Sequence, residues 1–267
     1  MSLEHVQLGS LSVSRLIIGG NPFSGFSHQS PQRDTEMREF YTEAQVQATL
    51  REAESLGIDT FLGRGDGHMT GILKDYWAQG GAIQWVAQTA SEAPTQPIAA
   101  RFAIDAGCKA CYIHGGRMEY MLANGMEDEI VETIRIIQDA GLPAGVAGHI
   151  PEIFTWAEEH LALDFYMCSY YNPSPRDKQP WHDPNVKEQY QVEDRDRMLA
   201  RIVTLSKPAI HYKVLAAGRT DPREGIIFAA RQMRPGDAMC VGVYTRDKPG
   251  MIQDDIRYFE EELRTAE

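Results

Sequence analysis

No apolar run in these 267 residues approaches the ~18 that a membrane-spanning helix requires. The N-terminus lacks a basic stretch followed by a hydrophobic one, so no secretion signal is visible and a cytoplasmic location is expected. Basic charge is short as well: 26 Lys and Arg face 38 Asp and Glu, a net charge of −12. Nucleic-acid and anionic-membrane partners both select a basic face, so neither is expected. A locally basic pocket for a small anionic ligand is still compatible with that balance. Cysteine is scarce. Cys108-x-x-Cys111 has no second pair at zinc-ribbon spacing, and with Cys168 and Cys240 it reads as buried free thiols. Internal repeats, low-complexity tracts and domain boundaries are also missing, so residues 1–267 read as one domain whose partner is a small molecule.

What the sequence does hold is an alternation. Apolar runs at 15–20, 59–62, 83–87, 110–114, 144–147, 164–169, 209–215 and 238–243 are each followed by a polar loop and a helix-like stretch. Thr42-Glu-Ala-Gln45 has the form of a capping box, and Gly57 stands at the expected helix stop. Ile130, Ile134 and Ile137 share one helical face. Residues 8–13 suit a hairpin that plugs a barrel bottom. Eight strand–helix units in this length predict an α/β fold, a single (β/α)8 TIM barrel. In such a barrel the carboxyl ends of the strands build the site. Two long loops, 21–34 and 172–185, fall at that end, and the second carries Trp181, which would stack on a sugar ring.

Several segments in the same order resemble the aldo-keto reductase superfamily. They are Leu8-Gly-x-Leu-x-Val-Ser-Arg-Leu-Ile-Ile-Gly-Gly20, Ala53-Glu-Ser-Leu-Gly-Ile-Asp59, Tyr112-Ile-His114, Tyr171-Asn172, Tyr212-x-x-Leu215-Ala-Ala-Gly218-Arg219, and Val241-Gly242 with the following Thr-Arg-Asp-Lys-Pro. The resemblance implies a barrel, NADP and an Asp, Tyr, Lys and His tetrad. Here the aspartate position is Leu62, the tyrosine falls at Gly67 and the lysine at Gln88; only His114 remains. The pair that would hold the nicotinamide is Gly148-His149, and the glutamine assisting it is Cys168. Hydride transfer needs an acid near the carbonyl and a fixed nicotinamide. The chain therefore reads as a divergent member whose reductase chemistry is lost.

The replaced site has its own chemistry. His114 and His149 end adjacent strands, with Asp66, His68 and Cys168 on nearby strand-end segments. His114, His149, Asp66 and Cys168 form a candidate ligand set for Zn, Mn or Fe, although no HExxH spacing supports it. Lys213, Arg64 and Tyr170 are candidates for acid, base or anion clamp, and Lys213 is also a candidate Schiff-base lysine. Gly218, Arg219, Thr245, Arg246 and Lys248, with the helix N-terminus after Pro249, would meet residual NADP or a substrate phosphate. Arg64-Gly-Asp66 spells an adhesion tripeptide by coincidence. The leading expectation is proton-transfer chemistry (isomerase, lyase or hydrolase) on a small polar carbonyl or sugar-like compound. His114 and His149 would be central, supported by Asp66, His68, Lys213 and Arg64, with a divalent metal as a possible aid. A divergent NADP-dependent oxidoreductase with His68 as acid and a non-catalytic ligand-binding barrel are the alternatives.

Overall fold

A computed structural model describes residues 3–181 and 186–265. The chain opens with a hairpin, β1 (His5–Leu8) and β2 (Leu11–Ser14), paired antiparallel from Val6↔Val13 to Leu8↔Leu11. Gly9 turns it at φ +60°. Val6, Leu8 and Val13 are buried against the barrel interior, so the hairpin is the expected plug.

Eight parallel strands close the barrel: β3 (Leu16–Gly19), β4 (Thr60–Gly65), β5 (Gln84–Thr89), β6 (Ala110–Ile113), β7 (Ala144–Gly148), β8 (Phe165–Ser169), β9 (Ala209–Tyr212) and β10 (Ala238–Gly242). They correspond to the eight apolar runs. Side chains alternate across each strand. Ile17, Val86, Tyr112, Phe165, Met167 and Ile210 fill the interior. Ile18, Phe61, Trp85, Tyr166 and Cys168 pack outward under the helices.

The outer layer is α1 (Pro31–Phe40), α2 (Glu43–Ser55), α3 (Gly67–Ala78), α4 (Gln96–Asp105), α5 (Gly115–Ala123), α6 (Glu127–Asp139), α7 (Pro151–His160), α8 (Val192–Ile202), α9 (Pro222–Gln232) and α10 (Met251–Thr265). Thr42 caps α2 as its motif predicts. Ile130, Ile134 and Ile137 of α6 are buried, each worth roughly 1.5–3 kcal/mol of transfer free energy. None of the described helices is long and apolar enough to cross a membrane.

Three local departures shape the mouth. The first loop is shorter than expected: Ser30 accepts the Arg33 amide and Pro31 takes the first helical position, so α1 begins inside it. His114 starts α5, an unexpected helix, by accepting the Arg117 amide on Nδ1. β9 stops at Tyr212 instead of running to 215, because Lys213 is left-handed at φ +57°. The expected end of the second loop, 182–185, lies outside the described residues.

Candidate functional site

The strand ends open into a cavity of about 470 Å³, the size of a small-molecule site. Leu62, Gln88, Tyr112, Met167, Tyr212 and Cys240 floor it. One wall is the first loop and another is the segment after β9. An arm runs outward between α1 and α10, past Arg33, Met37, Tyr244, Asp247 and Asp255.

Backbone conformation decides which side chains reach this space. Ile210 packs inside the barrel, His211 outside it against Tyr170, and Tyr212 inside again. Alternation would send Lys213 outward. Its left-handed φ breaks the alternation, and the consecutive residues Tyr212 and Lys213 both line the cavity. Ala216 (φ +48°) and Ala217 (φ +54°) continue the turn to Gly218 (φ +79°). For residues with a Cβ such angles cost roughly 1–2 kcal/mol each, so the surrounding packing holds this loop in a fixed shape.

Tyr212 and Lys213 each end a chain of carboxylate and imidazole. In the first, Lys213 Nζ lies 3.2 Å from His28 Nε2, and His28 Nδ1 lies 2.8 Å from Glu188 Oε1. Burial and the neighbouring Lys213 lower His28 to about 4, so its ring is neutral. A neutral ring that donates from Nδ1 to Glu188 has a lone pair on Nε2 for the lysine N–H. Burial raises the Glu188 carboxyl, but the His28 hydrogen bond overrides it and holds the group at about 2. Burial, then the Arg176 charge, lowers Lys213 from 10.5 to about 8.

In the second chain, His149 Nδ1 lies 2.9 Å from Glu119 Oε1, which also accepts the His149 amide at 2.6 Å. The Tyr212 hydroxyl lies 3.3 Å from His149 Nε2. Burial, then Arg176 and Lys213, holds His149 well below its ordinary value. Burial pushes Glu119 up to about 7. Burial also raises Tyr212, with the Glu119 charge adding to it, so the phenol stays protonated. Arg176, from the second long loop, is buried beside this chain, 3.9 Å from Glu119 Oε2. The first loop is tied over the mouth to the segment ahead of α8, where His28 reaches Glu188, and to the turn after β9, where Arg219 donates to the His28 carbonyl at 2.9 Å.

The expected site residues fall into three groups. Lys213, Arg64 and Gly218 line the cavity. Arg64 is held at 2.8 Å by Asp66 and is also paired with Glu92. His149 and His114 lie behind the cavity wall, His149 touching it through Tyr212. Burial, and then the charge His149 would carry, hold His114 well below its ordinary value.

The remaining expected residues are placed elsewhere. The metal set of His114, His149, Asp66 and Cys168 is not assembled, and among the described residues no three His, Cys, Asp or Glu side chains could hold an ion. Cys168 follows the interior residue Met167 and therefore points out of the barrel. Asp66 caps α3, accepting the Met69 amide at 2.9 Å. His114 Nδ1 is engaged as a helix cap, and His68 is exposed on α3. Tyr170 bonds His211 outside the barrel at 2.9 Å.

The set expected to meet phosphate is dispersed too. Arg219 stacks on Tyr190 and bonds backbone carbonyls. Thr245 lies against Tyr41, Arg246 is exposed, and Lys248 pairs with Asp254. The arm next to them carries the acidic residues Asp247 and Asp255 instead. Leu62 and Gln88 occupy the cavity floor, where the Gln88 amide donates to the Tyr112 hydroxyl at 3.2 Å. Trp181 is exposed and not part of the cavity.

Sequence reading did not single out His28, Glu119, Arg176, Glu188, Tyr212 or Asp255. Only Tyr212 carried a usable signal, since it stands two residues beyond the interior residue Ile210. The others come from loops and helices whose meeting no local pattern encodes.

No family model matches the sequence, and no curated protein matches it. Solved structures do match the fold. PA4992 from Pseudomonas aeruginosa, named as an aldo-keto reductase, superimposes with a TM-score of 0.64 at 17% identity, covering 97% of this chain and 95% of that one. The aldo-keto reductase AKR11C1 from Bacillus halodurans, in its holo form, gives 0.65 at 11% identity, covering 98% and 94%. A truncated 3-deoxy-D-arabino-heptulosonate 7-phosphate synthase from Thermotoga maritima gives 0.57 at 13% identity, covering 99% and 92%. The chain thus shares its (β/α)8 barrel fold with these structures, at low sequence identity.

Proposed function

We propose that this chain is a metal-independent enzyme that moves protons on a small carbonyl or hydroxylated compound held in the cavity. The observation that carries this reading is the pair of carboxylate–imidazole chains ending on Lys213 and Tyr212 in one cavity wall. A group with a value of about 8 exchanges protons readily near neutral pH, which is what general acid–base catalysis requires. In its neutral form the Lys213 amine takes a proton from the carbon next to a carbonyl. The C–H electron pair moves into an enolate, and the Tyr212 hydroxyl donates a hydrogen bond to the developing oxygen charge. Return of the proton to the same carbon gives exchange with solvent, and its return to the neighbouring carbon, as the α-hydroxyl proton passes to the former carbonyl oxygen, completes an isomerisation. His28 and Glu188 fix the lysine; His149 and Glu119 fix the phenol. The dispersed metal set and the residues at the tetrad positions fit neither a metal centre nor the reductase acid, so no step is routed through metal or NADP. Four buried free thiols accord with a reducing compartment, and we assign the enzyme to the cytoplasm.

A second reading is nicotinamide-dependent carbonyl reduction. One observation favours it: the cavity lining extends from Lys213 to Met251 and Asp255 of α10. The test is proton NMR in D2O with a panel of α-hydroxy aldehydes and ketones. Deuterium incorporation by the wild type that is lost in Lys213→Met supports the proposal. Oxidation of NADH or NADPH without incorporation supports the reductase. Saturable binding with neither reaction makes the barrel a binding protein and overturns the catalytic reading.

A further inference from the structure

The cavity arm ends on a buried carboxyl that the proton-transfer reading does not use. Asp255 lies on α10, one turn from its start, and is 5% exposed, with its accessible part facing the arm. Among the described residues it has no hydrogen-bond or ion-pair partner. Its neighbour Asp254 is different: Lys248 and Arg257 both pair with it, at 2.5 and 2.7 Å. Across the arm, the Arg33 guanidinium is already engaged by Glu36 and Asp247 and stacks 4.4 Å over Tyr244. Lys248, the cation that acts on Asp255 from nearby, is itself paired with Asp254.

A buried carboxyl without a partner costs free energy, and the cost is offset when a ligand supplies hydrogen-bond donors. We propose that Asp255 forms the far end of the site and recognises a vicinal diol of an unphosphorylated, sugar-like group. Two adjacent hydroxyls match the two carboxylate oxygens, each accepting one hydrogen bond. A phosphate there would face the Asp247 and Asp255 carboxylates. Burial and then Asp254 push the Asp255 carboxyl up to about 7, in keeping with a group that has no protein partner. The inference rests on reading the cavity as a substrate site and narrows the substrate to one with hydroxyls at the end remote from Lys213. The diol has two sources, a free sugar or the ribose of an unphosphorylated nucleotide.

The test is binding, not turnover, so its failure is distinguishable from failure of the exchange assay. Saturation-transfer NMR is run with D-ribose, 2-deoxy-D-ribose, NADH and NADPH. The proteins are the wild type, Asp255→Leu and Asp255→Asn, with circular dichroism checking the fold of each. The Asn variant keeps the shape and one acceptor if the Leu variant fails to fold. Ribose is expected to bind at least fivefold better than 2-deoxyribose, and the preference to be lost in the variants; this identifies a free sugar as the source. NADH bound at least fivefold better than NADPH, and weakened in the variants, also supports the diol and identifies a nucleotide ribose. Equal binding of ribose and deoxyribose, preference for NADPH, unchanged binding in the variants, or no binding of any probe each overturns the proposal.

Discussion

Replacing Lys213 with methionine should make the protein more stable at neutral pH while removing proton exchange. The ordinary lysine value of 10.5 falls to about 8 in the fold, because burial and Arg176 oppose the ammonium. That gap of about 2.5 pH units corresponds to roughly 3 kcal/mol against folding wherever both states hold the proton. Methionine removes this penalty and also removes the hydrogen bond to His28, worth about 1 kcal/mol, leaving a net gain of about 2 kcal/mol. For a chain of this size the gain raises Tm by about 4–8 °C. The sign depends on pH in a defined way. Below the folded value near 8 the penalty is complete. Between about 8 and 10.5 the unfolded chain holds a proton that the folded one has lost, so wild-type stability rises with pH. Above that window the wild type has recovered the difference. The assay is thermal unfolding of both proteins in steps from acid to alkaline pH, plotted as the difference in Tm, so that groups common to both largely cancel. A variant less stable than wild type near neutrality would refute the reasoning. So would a difference that does not shrink as pH rises through the window.

Tyr212→Phe removes the hydroxyl at 3.3 Å from His149 and should slow exchange by about 10²–10³-fold, with Tm nearly unchanged; exchange rates and a melt measured together check both halves. Glu188→Gln removes a negative charge that favours the Lys213 ammonium, so the pH midpoint of activity should fall below its wild-type position near 8; a pH–rate profile reads the direction. Ala217→Gly relieves a left-handed residue at φ +54° and should stabilise the protein by about 0.5–1 kcal/mol, less than the strain itself because glycine loses more entropy on folding; denaturant unfolding measures it.

Much of the fold was legible because its signals are local. The eight apolar runs became eight strands, the 8–13 segment became the plug, and Thr42 became a cap. Site legibility followed a different rule. Lys213 and Arg64, singled out as ionisable residues at strand ends, line the cavity. The partner of His149 was not legible: Glu119 arrives on α5, a helix begun by His114 acting as a cap. Cys168 was misplaced for a reason the sequence itself contains. It neighbours the interior residue Met167, and alternation sends it outward. Asp66 followed the rule for N-caps, which turns a strand-end aspartate toward backbone amides.

The sequence by itself determined the barrel, and placed Leu62 and Gln88 on its strands. These follow from periodicity and residue identity, which are read along the chain. Only the tertiary structure decided which groups meet. His28 stands 160 residues from Glu188 and 185 from Lys213, yet the three form one hydrogen-bonded chain. The left-handed turn that brings Lys213 to its place beside Tyr212 is held by contacts with the first loop, where Gln29 donates to the Ala217 carbonyl at 2.8 Å. Barrel closure brings such loops together, and burial there gives the lysine and histidine values they would not have in water.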